Sequence, residues 1–143
     1  MVTSAQCILK YGMADVQMER RHMSVIIVPQ DLRLDLPFLP NKIYCNKDLK
    51  KPLLEAFNNI VERALEGELK SWNGCFNIRK TTGGSTYSLH SWGIAVDINA
   101  ATNAFGAEPQ MCAAFVKCFT DAGFDWGGTW RTPDGMHFQL KII

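Results

Sequence analysis

Apolar positions along the chain follow two rhythms. Between about Asp48 and Glu68, the residues Leu49, Leu53, Leu54, Phe57, Ile60, Val61, Ala64 and Leu65 recur at helical spacing and predict one long amphipathic helix. Pro52 falls in its first turns, where a missing N–H is tolerated. A second helix is predicted from about Pro109 to Ala122, with Met111, Phe115, Val116, Phe119 and Ala122 as its apolar stripe and Gly123 as C-cap. Both stripes read as core packing. Thr3 and Ser4 ahead of a short apolar run ending at Gly12 predict a short capped helix. Ser24–Val28 reads as a buried strand, and Lys42–Cys45 and Cys75–Arg79 as further short strands. Leu32–Leu39 contains Pro37 and precedes Pro40, so loop or sheet edge is expected there. Lys80–Tyr87 is rich in Gly, Ser and Thr and is expected to be a loop.

Two segments show the other rhythm. In Gly93–Asn99, Ile94, Val96 and Ile98 share one face of a strand, and Ala95, Asp97 and Asn99 the other. In Met136–Lys141, Met136, Phe138 and Leu140 alternate with His137 and Gln139. If these strands are neighbours, one face of the sheet is core and the opposite face sets Asp97 beside His137. Helices and antiparallel-compatible strands in mixed order predict an α+β fold, a small antiparallel sheet with flanking helices.

Composition narrows the picture. A chain of 143 residues suits a single domain spanning 1–143, and such a chain buries roughly 70% of its unfolded surface without staples. Fifteen basic and 14 acidic residues leave a net charge of +1, which argues against a nucleic-acid surface. No run of 18 apolar residues is present, so no membrane span is expected. Met1–Tyr11 lacks the basic start and apolar stretch of a signal peptide. Five cysteines, an odd number with no CxxC pair, suggest free and mostly buried thiols.

His90 lies seven residues before Asp97, with Gly93 between them, so a turn into the strand can return it to the same cleft. His90, Asp97 and His137 then form a two-histidine, one-carboxylate set, which with an open position is the donor set of a catalytic zinc site. Hydrolysis at such a centre also needs a proton shuttle. Asp134, in Thr132-Pro133-Asp134-Gly135, stands three residues before His137. Spacing alone leaves alternatives open: hydrogen-bonded histidines instead of ligands, another transition metal, or Asp134 as an ordinary Pro-Asp-Gly turn residue. His22, in Arg20-Arg21-His22, reads as part of an exposed basic cluster.

The same residues resemble a known family. Ser88-Leu89-His90-Ser91-Trp92-Gly93-Ile94-Ala95-Val96-Asp97 matches an SxHxxGxAxD motif, and Asp134-Gly135-Met136-His137 matches its later partner, an acidic residue shortly before the second His. The pair resembles the VanY-type D-alanyl-D-alanine carboxypeptidases and the L-alanyl-D-glutamate endopeptidases used as phage endolysins. Phe124–Trp130 is similar to the phage-type branch. The resemblance spans most of the chain, more loosely before residue 75.

It implies a hedgehog/DD-peptidase-like fold with zinc on the open face of the sheet. His90, Asp97 and His137 would be the ligands, and Asp134 the general base and acid. It places Arg79 where a basic residue stabilises the oxyanion or holds a substrate carboxylate; a solvated strand end is the alternative. It makes Ser88 a substrate-contacting or merely turn-forming hydroxyl, and Trp92 and Trp130 cleft walls or core residues. Many relatives carry Glu where this chain has Gln139.

The implied function is hydrolysis of an amide bond in the peptidoglycan stem peptide. An L-alanyl-D-glutamate endopeptidase working as a phage endolysin is favoured over a D-alanyl-D-alanine carboxypeptidase, a non-catalytic zinc module and a virion-associated lysin. A monomer without nucleic-acid or membrane partners is expected, held in the host cytoplasm without a signal peptide and acting at the wall after release.

Overall fold

The computed structural model describes all residues, 1–143. Five α-helices and six strands run in the order α1 (Ser4–Tyr11), α2 (Val16–His22), β1 (Met23–Ile27), α3 (Gln30–Asp35), β2 (Lys42–Asn46), α4 (Lys50–Glu62), β3 (Trp72–Gly74), β4 (Ala95–Ile98), α5 (Ala113–Thr120), β5 (Phe124–Trp126) and β6 (His137–Leu140). They form an α+β fold with two antiparallel sheets, the pair β1-β2 and a four-stranded sheet in the order β3-β4-β6-β5. No helix is long and apolar enough to cross a membrane.

The alternation seen in the sequence sets the register of the main sheet. Strands β4 and β6 pair with Val96 opposite Phe138 and Asp97 opposite His137. Val96 and Phe138 are fully buried in the core, and Phe138 stacks on Phe119 of α5 at 4.4 Å. Phe57, Leu53 and Ile60 of α4 belong to the same continuous core, as does Phe115 of α5. Burial of each such side chain contributes about 1.5–3 kcal/mol, so the strands bearing Asp97 and His137 rest on a rigid floor. Met136 is only partly buried; it lies outside β6 and faces the cleft instead of the core.

The first helix follows its sequence signals. The Thr3 side chain caps it, Gln6 returns a bond to the Thr3 N–H, and Gly12 ends it with φ +87°. The long helix is shorter than expected. Helix α4 stops at Glu62, where Ala64 turns left-handed (φ +53°), Leu65 N–H donates to the Ile60 carbonyl and Ala64 N–H to that of Val61. That double bond pattern is a Schellman closure with alanine in the usual glycine position. Ala64 is therefore exposed, not on the apolar face. Helix α5 begins at Ala113 instead of Pro109, because Asn103 Oδ1 takes the Gln110 N–H (2.7 Å) and holds the preceding chain outside the helix.

Other expectations also change. Helices α2 and α3 are additional; α3 overlaps the start of the stretch expected to be loop or edge and ends just before Pro37. Strand β1 is half exposed, with Val25 and Ile27 open to solvent in a two-stranded sheet, not a buried strand. The strand expected at Cys75–Arg79 lies earlier, at Trp72–Gly74; Cys75–Arg79 itself is irregular chain. Asn99 leaves the alternation of β4: it adopts φ +53°, and its side chain binds Lys70 N–H, Ser71 N–H and the Glu68 carbonyl. His22 is half-buried, edge-on to Tyr11 at 5.1 Å.

Candidate metal centre

His90 sits on a 3-10 turn, Leu89–Trp92, which Ser88 caps through the His90 N–H (3.4 Å) and Gly93 ends with φ +65°. A side chain on Gly93 would collide with Met23 Sδ and the Asn46 backbone at 2.8 Å, so only glycine closes this turn against β2. The turn delivers His90 to the face carrying Asp97 and His137. One ligand atom from each lies within 4.8 Å of the others. His90 Nε2 is 3.2 Å from Asp97 Oδ2, and His137 Nδ1 is 3.4 Å from Asp97 Oδ1.

The partners of the outer ring nitrogens assign the tautomers. His90 Nδ1 faces the Cys75 carbonyl at 2.6 Å, so it carries the proton and leaves Nε2 as a lone pair. His137 Nε2 faces Gln139 Oε1 at 3.1 Å, so Nδ1 is the free lone pair. These two inward nitrogens stand 3.1 Å apart. Two lone pairs at that spacing require a proton or a cation between them. Asp97 Oδ1 is buried and lacks a hydrogen-bond partner. Two imidazole nitrogens and an orphaned carboxylate oxygen converging on one point fit a zinc ion, with outer hydrogen bonds orienting each imidazole. Burial alone would raise the Asp97 carboxyl; a proton held between His137 and His90 outweighs it through bonding and charge and keeps the carboxyl well below the usual range.

Asp134 stands beside this group on a turn held from three directions. Its N–H donates to the Gly127 carbonyl (2.9 Å), the Trp126 indole donates to the Gly135 carbonyl (2.8 Å), and Gly106 N–H donates to that of Pro133 (2.7 Å). Burial pushes the Asp134 carboxyl upward and Asp97 adds to this, while His137, His90 and Arg79 oppose it. A half-buried carboxyl with a raised pKa suits proton transfer near neutral pH.

A cleft of about 590 Å³ opens over His137, Asp97 and Asp134, a volume suited to a small ligand or peptide. Arg79, Ser88 and Trp130 line it, Trp130 with its ring 5.3 Å from that of His137. A second hollow of about 260 Å³ lies beside His90, with Asn73 and Asn77 on its wall; Asp97 and Arg79 border both. Trp92 does not line the cleft. It is fully buried, donates to the Gly12 carbonyl (2.8 Å) and packs on Tyr87, so it is a core residue that anchors α1 and not a substrate contact.

Sequence reasoning missed two parts of the cleft. Met1–Ala5 form one wall, and Phe105, a large exposed aromatic, stands on the rim. Neither has a local signal, because both are brought in by tertiary contacts.

This donor set, with a carboxyl beside it, suits a metallopeptidase. A family model described as D-alanyl-D-alanine carboxypeptidase matches residues 82–140, under half of the chain but all of His90, Asp97, Asp134 and His137. The match supports a zinc peptidase acting on peptidoglycan. No curated protein and no solved structure matches the chain.

Proposed function

We propose that the protein cuts an internal amide bond of the stem peptide as an L-alanyl-D-glutamate endopeptidase. His90, Asp97 and His137 hold the zinc, which when bound lowers the pKa of water and polarises a carbonyl. Asp134 takes the proton of the attacking water and delivers it to the leaving amine. Arg79 faces the charge that develops on the carbonyl oxygen, and Trp130 and Ser88 flank the bound peptide. The observation that carries this reading is the raised, half-buried carboxyl of Asp134 in one cleft with Asp97 and His137, His90 bordering the adjoining hollow.

The endopeptidase choice is supported by the two hollows that meet at Asp97 and Arg79, giving a peptide room on either side of the group. A second reading, carboxypeptidase action, is favoured by Arg79 at the smaller hollow, where its cation suits a terminal carboxylate. Digestion of purified peptidoglycan, with fragments read by mass spectrometry, separates them. New glutamate N-termini support the endopeptidase; released D-Ala overturns it in favour of the carboxypeptidase. The proposed setting is phage-driven lysis, with the enzyme kept in the host cytoplasm until release to the wall. Its support is the likeness of Phe124–Trp130 to the phage-type branch. Expression should lyse cells only with a membrane-permeabilising partner.

A further inference from the structure

Gln139 is almost fully buried, yet it is polar and takes no part in the proton transfer above. It lies two residues beyond His137 on β6, so its side chain shares the face of the metal ligands. Its cross-strand neighbours are Asp125 on β5 and Ala95 on β4, whose small side chain leaves room for it. Each end of its amide meets one partner. Oε1 faces His137 Nε2 at 3.1 Å, and Nε2 donates to the Val2 carbonyl at 3.4 Å.

A backbone carbonyl can only accept, so it turns the NH₂ end of the amide toward Val2. The oxygen is then forced toward His137, which must present Nε2–H and keep Nδ1 as its inward lone pair. The Val2 side chain is itself buried, and Thr3 and Ser4 fix the segment through the α1 cap and the bond from Ser4 Oγ to the Tyr87 carbonyl (2.6 Å). We propose that Gln139 is a positioning residue for the metal centre, and that the N-terminal segment is part of that centre because the Val2 carbonyl orients the Gln139 amide. Glutamate cannot replace both functions: a carboxylate accepts from His137 but has no proton for Val2. The proposal rests on His90, Asp97 and His137 holding the metal, but not on which bond the enzyme cuts.

Zinc affinity by chelator competition, with ¹⁵N spectra of the histidine rings in the zinc-loaded protein, tests it. Gln139→Leu should weaken zinc binding about tenfold or more and speed solvent exchange of the His137 Nε2 proton. Val2→Gly, which loosens the segment, should weaken it less. The double variant should bind zinc no more weakly than Gln139→Leu alone, because both act through one amide. Gln139→Glu should keep the affinity and the His137 Nε2 proton while freeing the amides of residues 2–6 to hydrogen exchange. Intrinsic tryptophan fluorescence, to which the buried Trp92 contributes, reports whether each variant is folded. Unchanged affinity in Gln139→Leu, additive losses in the double variant, or an equal loss in Gln139→Glu would overturn the proposal. Undiminished zinc binding in His90→Ala would instead overturn the metal reading beneath it.

Discussion

Gly127 is the position where a single methyl group should reach the chemistry without touching it. A Cβ there would stand 2.5 Å from the Asp134 carbonyl oxygen and 3.2 Å from its Cβ, whereas ordinary contact begins at 3.4 Å. The Asp134 backbone must therefore retreat by about 0.9 Å from the carbonyl contact alone. Gly127 is not among the residues with positive φ, so the cost of Gly127→Ala is this contact and not backbone strain. A misplacement of about 1 Å in a catalytic group costs on the order of 100-fold in rate, or about 2.7 kcal/mol of barrier. The same Asp134 carbonyl accepts the His137 N–H (3.1 Å), but His137 is also paired to Asp97 of β4 and its neighbour Phe138 is fixed in the core, so the ligand moves less than Asp134. Gly127→Ala should thus lose about 100-fold in kcat on a synthetic stem peptide, with KM and zinc affinity within about twofold of wild type. Full turnover in this variant would refute the role given to the Asp134 turn. A parallel loss of zinc would refute the claim that pairing to β4 holds His137 in place when the Asp134 turn shifts.

Three further outcomes are expected. Asp134→Asn should lower kcat by about 10²–10⁴-fold while zinc content by elemental analysis stays unchanged; a loss of metal would make Asp134 a ligand. The same change should raise the melting temperature of the metal-free protein at neutral pH. Because the folded carboxyl is raised, ionising it costs stability that is absent below the ordinary carboxylate pKa and grows as pH rises through the folded value. The gain should vanish in melts run well below that window, and a gain independent of pH would contradict the argument. Ala64→Gly relieves a left-handed alanine at the end of α4 and should add about 1 kcal/mol of stability, seen as a rise of roughly 4 °C in Tm.

The centre of the site was legible because two short strands alternate strictly. With a period of two, Asp97 and His137 could only share a face once β4 and β6 were neighbours, and the structure pairs them directly. His90 required the Gly93 turn, which the sequence displays. What could not be read was set by tertiary contacts. Trp92 has no local mark that separates a cleft wall from a core anchor; its indole bond to Gly12, eighty residues away, decides. The end of α4 was hidden because alanine takes the place of the glycine that usually announces a Schellman turn. The start of α5 was hidden because Asn103 intercepts the Gln110 N–H. Helices α2 and α3, seven and six residues long, are too short to establish a periodicity. Gln139 stood on the right face in sequence, but its partner Val2 lies 137 residues away.

The most direct test of the account measures zinc content and peptidoglycan cleavage on the same samples of wild type, His90→Ala and Asp134→Ala. One zinc per chain with cleavage in the wild type, neither in His90→Ala, and zinc without cleavage in Asp134→Ala is the expected result. Cleavage that persists in His90→Ala, after its metal is gone, would contradict it.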